Sequence, residues 1–297
     1  MILVTGGTGF VGRHLIQHMR KEGIAIRAVV KTLDKAQSLE ALGVHLIQGD
    51  ITDKASLEKA VLGVDRVIHL VGIIQEAPHV TFQGIHVEGT RNILDAAKKA
   101  AVRHFFYQSA LGTRPGAKST YHKTKWEAEE LVRSSGIPYT IMRPSLIYGS
   151  GDGFTTRLSE MIKLSPFMPV IGSGKSKVQP IFINDVVSCI LKAMTSDSFL
   201  NEIYEIGGPE QLTYEEVTLA LAEALGVRRP TVHLPLFSLK PLARILETLL
   251  PVPPLTTDQL TMIQEDNICS MQDITDAFGI EPVKFRDGLV SFIIAKK

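Results

Sequence analysis

Tyr121 and Lys125 stand four residues apart in the run Tyr121-His122-Lys123-Thr124-Lys125. Four residues is about one helical turn, so on a helix the phenol and the ammonium share a face. A phenol with an ordinary pKa near 10 is a poor base at neutral pH, and a neighbouring ammonium favours the phenolate and lowers that value. A tyrosine activated in this way can exchange a proton with a substrate oxygen while hydride moves elsewhere in the site. The same pair also fits an amphipathic surface helix, so its meaning depends on what the rest of the chain builds around it.

The N-terminus supplies a second chemical feature. Ile2 to Val4 is a short apolar strand, followed by Gly6-Gly7-Thr8-Gly9-Phe10-Val11-Gly12 and then Val11, Leu15 and Met19 at the four-residue interval of a helix facing a sheet. A strand, a glycine turn and a helix in that order make an anion site, because the helix N-terminus offers free N–H groups and the positive end of its dipole. Gly6, Gly9 and Gly12, with Thr8, Phe10 and Val11 between them, are therefore candidate pyrophosphate contacts of a dinucleotide. The alternative is a tight turn with no ligand.

Apolar strand patterns recur at 26–30, 44–47, 66–70, 104–107 and 139–142, with helical patterns near 35–42, 54–62, 84–101 and 119–134 between them. Near-continuous apolar strands joined by helices predict an α/β fold, a Rossmann-type doubly wound parallel sheet covered on both faces. Its ligand crevice should lie beyond the carboxyl ends of the strands, where the remaining candidates fall. Strand two ends at Lys31, a cation where an acid would meet adenosine ribose hydroxyls; with Lys35 it predicts a partner for a 2′-phosphate, hence NADP(H) over NAD(H). Strand three ends in Gly49-Asp50-Ile51-Thr52-Asp53: Asp50 can accept from the adenine amino group while Ile51 packs on the ring, and Asp53 caps the next helix. Strand four ends in His69-Leu70-Val71-Gly72, where Leu70, Val71 and Gly72 let backbone pass close to a ribose and His69 reads as a core histidine. Pro144, Ser145, Leu146 and Ile147 follow strand six and should line the nicotinamide end.

The net formal charge of +1 gives no reason to expect nucleic acid or an anionic membrane as the main partner. Cys189 and Cys269 match no metal spacing, and the nine histidines contain no His-x-x-x-His pair carrying a catalytic Glu, so no metal site is expected. No apolar run reaches the ~18 residues that span a bilayer. The first strand begins at the initiator methionine, which predicts no secretory leader and a reducing, cytoplasmic setting.

With these residues in place the chain resembles the extended short-chain dehydrogenases/reductases, the NAD-dependent epimerase/dehydratase family. The resemblance rests on the Gly6/Gly9/Gly12 turn, Gly49-Asp50, Val87-Glu88-Gly89-Thr90-Arg91-Asn92, Tyr121/Lys125, Arg143-Pro144-Ser145-Leu146-Ile147-Tyr148-Gly149, and Gln179-Pro180-Ile181-Phe182-Ile183-Asn184-Asp185-Val186, covering most of 1–210. Tyr204-Glu205-Ile206-Gly207-Gly208-Pro209 and Pro254-Leu255-Thr256-Thr257-Asp258-Gln259-Leu260 are similar to an atypical branch related to the mitochondrial complex I accessory subunit of this fold. The resemblance implies a bound dinucleotide and a lysine on the nicotinamide ribose. It also implies a serine holding the substrate oxygen beside the tyrosine. Here the chain reads Gln108-Ser109-Ala110, so Ser109 is kept and Ala110 takes the catalytic serine position; His86 stands where the family carries asparagine, and an imidazole can donate or relay.

The resemblance divides the chain into a dinucleotide-binding core at 1–149, a smaller substrate lobe at 150–175 and 207–297, and a return to the core at 176–206. Ser150-Gly151-Asp152-Gly153 is expected as a flexible loop at the substrate entrance. Leu239, Leu242, Ile245, Leu246, Leu249 and Leu250 form an apolar helical stripe with Lys240 and Arg244 on other faces. That stripe either packs on the lobe or, across 239–250, meets a lipid, a quinone-like substrate or a membrane complex. Three functions fit: an NADP(H)-dependent oxidoreductase or epimerase-like enzyme on a small, unidentified substrate; a structural or assembly protein that holds NADPH without turnover; or an enzyme that keeps its cofactor and cycles it internally. Substrate, direction and oligomeric state are left open by the sequence.

Overall fold

Four of the first five apolar segments bury nearly every residue, which they can do only inside a sheet covered on both faces. The computed structural model of the chain describes residues 1–293, with every side chain among them but that of Lys35; the expected help of Lys35 at a phosphate lies outside what is described. The chain forms two compact units, Met1–Arg143 with Val187–Tyr204, and Pro144–Val186 with Glu205 onward. The first unit thus closes at Arg143 and is re-entered at Val187, against expected limits of 149 and 176.

The first unit runs β1 (Ile2–Thr5), α1 (Phe10–Lys21), β2 (Ile26–Val30), α2 (Gln37–Glu40), β3 (His45–Gln48), α3 (Lys54–Ala60), β4 (Arg66–His69), α4 (Gly89–Lys99), β5 (His104–Gln108), α5 (Thr120–Ser134) and β6 (Tyr139–Pro144). Helix α7 (Ile183–Thr195) precedes strand β11 (Glu202–Ile206), which completes the sheet in the order β11-β6-β5-β4-β1-β2-β3. The pairs from β6 to β3 are all parallel. The order reverses between β1 and β4, so the carboxyl ends of those strands flank the crevice where doubly wound sheets bind ligands. Leu3, Val67, Phe105 and Ile141 from the strands pack with Leu57, Ile93, Ala97 and Val132 from α3, α4 and α5. Full burial of each of the Leu, Ile, Val and Phe side chains contributes about 1.5–3 kcal/mol.

Two local features depart from the sequence pattern. The helix expected over 84–101 begins as a π-helical turn, Gln83–Glu88, before α4. The segment expected over 35–42 is a 3-10 turn, Leu33–Ala36, followed by one short α-turn. Asp53 does cap α3, accepting the Ala55 N–H at 3.1 Å.

The second unit contains β7 (Ile147–Tyr148), α6 (Gly153–Leu164), β8 (Met168–Ile171), β9 (Lys177–Val178), β10 (Ile181–Phe182), β12 (Leu212–Thr213), α8 (Tyr214–Leu225), β13 (Thr231–Leu234), α9 (Leu236–Leu249), α10 (Thr257–Met262) and α11 (Phe285–Ile293). Its core gathers Tyr148, Ile162, Val217, Leu221, Phe285 and Leu289. The expected flexible loop at 150–153 is instead a helix cap. The carboxylate of Asp152 is buried and accepts the N–H groups of Gly149 (3.0 Å) and Thr155 (2.6 Å) and the Thr155 hydroxyl. The expected packing of 239–250 on its lobe holds for one face of α9 only: Ala243 is buried, whereas Leu242, Ile245, Leu249 and Leu250 are exposed.

Candidate functional site

The glycine turn between β1 and α1 is shaped by close approach. Gly6 has φ +80°, and a Cβ there would lie 3.1 Å from the backbone of Leu70 and Val71. A Cβ on Gly12 would overlap the Gly6 carbonyl oxygen. Gly9 is the N-cap of α1 and has no side chain to satisfy the first-turn N–H groups, which leaves them for a ligand. Val11 is buried against the sheet and the Phe10 ring packs edge-on to His14, 5.4 Å between centroids. What these two residues offer a ligand is therefore backbone N–H.

A groove of 410 Å³ opens along the ends of β1, β2, β3 and β4. Gly6, Thr8 and Gly9 line it from the turn; Lys31, Asp50 and Ile51 from the second and third strand ends; Leu70, Val71 and Gly72 from the fourth. The expected phosphate, adenine and ribose contacts of the first unit thus share one groove, and its narrow glycine floor fits a pyrophosphate. Lys31 and Asp50, read as ligands for different parts of a dinucleotide, are bonded to each other at 2.8 Å. Partial burial would raise the Asp50 carboxyl, but the Lys31 ammonium and the Thr52 N–H outweigh it and hold the carboxyl below its ordinary value.

Tyr121 and Lys125 lie on α5, which Ser119 caps by accepting the His122 N–H at 3.2 Å. The Lys125 Nζ donates to the Gln108 carbonyl at the end of β5 (2.6 Å) and sits 4.3 Å from the Tyr107 ring centroid. Burial pushes the lysine down to about 7, opposed by the charge of Glu129. Burial also pushes the Tyr121 phenol up to about 12. This corrects the expectation that the ammonium lowers the phenol: the protein buries both groups, and burial drives both toward their neutral forms.

His86 adjoins them, its ring 5.4 Å from that of Tyr121. Its Nδ1 lies 2.9 Å from the Thr124 hydroxyl, which itself donates to the helix carbonyls of Thr120 and Tyr121, both at 3.0 Å. The His86 Nε2 lies 3.1 Å from the Ile73 N–H and 3.0 Å from the Ile73 carbonyl oxygen, so the ring is tied to Ile73 through Nε2 whichever ring nitrogen carries the proton. Burial, reinforced by the charge of Lys125, lowers the imidazole to about 2. His86 is thus a neutral strut between α5 and the chain beyond β4. A Cβ built on Gly72 would lie 3.6 Å from His86 Nε2 and 3.9 Å from Lys125 Nζ, so the groove and the Tyr121/Lys125 face meet at this glycine. Thr124 is the participant that motif reading missed; its place three residues after Tyr121 on a helix was the available signal.

Ser109 is buried and donates to the Thr113 hydroxyl at 3.4 Å. His69 is a fully buried core histidine between the hydroxyls of Thr5 (2.6 Å) and Thr90 (3.2 Å), and burial lowers it to about 3. Pro144, Ser145, Leu146 and Ile147 belong to the second unit. There the Ser145 hydroxyl donates to Asn267 and accepts the Gln179 N–H at 3.2 Å, Leu146 packs on the second core, and Ile147 pairs with Ile181.

Sheet order, glycine turn and Tyr/Lys helix together define a dinucleotide-binding α/β protein. Residues 2–207 match the NAD dependent epimerase/dehydratase family, and the chain belongs to it. It is 26% identical over 285 residues to the mitochondrial NADH-ubiquinone oxidoreductase 40 kDa subunit of Neurospora crassa, a match covering 94% of this chain and 75% of that one. It is 28% identical over 226 residues to the NAD(P)H azoreductase of Xenophilus azovorans, covering 76% and 74%. Among solved structures, the NADPH-dependent quinone oxidoreductase QOR2 of Escherichia coli, complexed with NADPH, superposes with a TM-score of 0.75 over 98% of this chain and 99% of that one at 20% identity, a likeness of fold.

Proposed function

We propose that this protein is an NADP(H)-dependent oxidoreductase or epimerase-like enzyme acting on a small substrate. The observation that carries the reading is the meeting of Lys125 and His86 beneath Gly72, a glycine that also lines the dinucleotide groove. Bound in that groove, the dinucleotide would supply hydride chemistry. Lys31 would take the 2′-phosphate, the α1 N–H groups the pyrophosphate, and Lys125 the nicotinamide ribose. The Tyr121 hydroxyl would exchange the proton of the reacting oxygen, with His86 holding the Gly72–Ile73 backbone in place. A phenol held neutral is a proton donor, which suits reduction of a carbonyl.

Tyr121→Phe tests the reading, since it removes the hydroxyl and keeps the ring. NADPH affinity should stay within about twofold while turnover falls by ~10²–10⁴, the worth of a positioned acid or base. Full turnover in Tyr121→Phe would overturn the assignment. A second reading, a protein that holds NADPH without turnover, is favoured by Ala110 in the serine position and by the Ser109 hydroxyl turned to Thr113. It predicts a dinucleotide of fixed redox state that survives purification and is not oxidised by added carbonyl substrates.

A further inference from the structure

Helix α9 carries an exposed apolar row that neither unit's core explains. Phe237, Pro241, Ile245 and Leu249 recur every four residues; Phe237 is 81% and Leu249 72% exposed. Exposed Leu242, Leu250 and Val252 extend the patch. The opposite face, with Leu236, Leu239, Ala243 and Leu246, is the one that is wholly or partly covered. Beside the apolar row runs a second, Lys240, Arg244 and Thr248, and these three with Pro241, Ile245 and the Thr257 and Thr261 of α10 line a groove of 630 Å³. The only acid of α9, Glu247, is turned to α10, accepting the N–H (2.7 Å) and hydroxyl (3.0 Å) of Thr257. The outward face is therefore apolar with a basic, hydroxyl-lined margin.

The geometry points to an anionic phospholipid bilayer as the partner of this face, with lipid phosphates between Lys240 and Arg244 in the groove and the Phe237–Leu249 row among the acyl chains. Charge selects this occupant. An apolar helix face with cations at its edge lies in a bilayer interface, gaining from buried apolar area and from attraction to anionic headgroups. A second copy fits less well, because antiparallel two-fold pairing of the face would set the basic row of one copy beside that of the other. No helix among the described residues is long and apolar enough to cross a membrane, so the contact is peripheral.

Co-sedimentation of the full chain with vesicles tests this. Phosphatidylcholine vesicles containing one third phosphatidylglycerol should pellet the protein; pure phosphatidylcholine should do so far more weakly, and added salt should release it. Lys240→Glu with Arg244→Glu should weaken anionic-vesicle binding by at least about fivefold per position, the worth of one basic residue at such a surface. Ile245→Asp with Leu249→Asp should abolish it. Melting temperature and NADPH affinity, read alongside, should be unchanged, since both pairs are exposed and remote in sequence from the groove residues of the first unit. No sedimentation with either vesicle, or equal sedimentation with both, overturns the proposal. So does a dimer by light scattering that Leu249→Asp dissolves, which would make the face a contact between copies. If the aspartates unfold the chain, the charge-reversal pair alone still decides it.

Discussion

A 2′-phosphate arriving at Lys31 meets a competitor already bonded to it. Asp50 holds the ammonium at 2.8 Å in a pair whose lysine is 60% exposed, and exposed ion pairs of this kind contribute about 0–1 kcal/mol. The exchange of carboxylate for phosphate is therefore inexpensive, but the carboxylate stays nearby and repels the newcomer. Two opposite predictions follow for cofactor choice. Lys31→Ala should narrow the gap between NADPH and NADH affinity, because the phosphate loses its cation. Asp50→Asn should widen it several-fold, because the cation is freed and the repulsion removed, while an amide oxygen can still accept from adenine. Titrating both dinucleotides against each variant separates the effects, since any general damage to the adenosine site changes both affinities alike. Equal affinities in the parent protein would sink the NADP(H) preference; an unchanged ratio in Asp50→Asn would show that the pair plays no part in it. The Lys31→Ala prediction is legible in the sequence, as a cation at the end of strand two; the Asp50→Asn prediction is not, because two strand ends give no indication that their side chains touch across β2 and β3.

At the scale of the element, α5 carries a penalty. Lys125 is buried, with a folded-state value of about 7 against an ordinary 10.5. Between those values the unfolded chain holds a proton that the folded chain has released, so stability rises with pH from about 7 to 10.5 on this residue's account. Below pH 7 the lysine is charged in both states and the full cost of burying it applies. Lys125→Met removes that cost. In the ligand-free protein it should raise the melting temperature at pH 7 and flatten the rise in stability toward pH 10, while weakening NADPH binding and turnover. Calorimetry across that pH range checks the sign; a lower melting temperature at pH 7 would mean that the bond to Gln108 and the contact with Tyr107 outweigh desolvation. Helix and strand positions were legible because the segments that pack on the sheet repeat apolar residues at helical spacing, as at Val11, Leu15 and Met19. The π-turn at Gln83–Glu88 was not, since its residues differ from those of an ordinary helix only in backbone hydrogen bonding. Nor was the Asp152 cap, where Ser-Gly-Asp-Gly composition reads as a loop and the buried carboxylate turns it into a helix start. The Tyr121/Lys125 pair was legible as a shared helix face; its protonation was not, because spacing gives proximity and says nothing of desolvation.

Across the whole molecule, the family match at 2–207 takes in the first unit and the Pro144–Val186 segment of the second, and relatives at 26–28% identity have names as different as an NADH-ubiquinone oxidoreductase subunit and an azoreductase. A fold shared at that distance does not fix a reaction, so the property to test first is the one the fold requires: dinucleotide binding in the glycine cradle. Gly9→Val isolates it. Gly9 has φ −73° and ψ 177°, extended backbone that valine adopts without strain. Its added Cβ would come within 3.1 Å of the Gly6 carbonyl oxygen, a tight contact relieved by a shift of a few tenths of an ångström. The isopropyl group would, however, fill the space above the first-turn N–H groups of α1. The parent protein in NADPH at about 100 times its Kd should gain about 2.7 kcal/mol of stability, a melting shift of roughly 4 °C for a chain of this size. Gly9→Val should melt within a few degrees of the ligand-free parent and lose that shift. Gly12→Val is the contrasting case, because its Cβ would overlap the Gly6 carbonyl, so the ligand-free protein itself should be destabilised. A Gly9→Val protein that keeps the full NADPH shift would place the phosphates elsewhere than the α1 N-terminus, and the reading of the groove would fall with it.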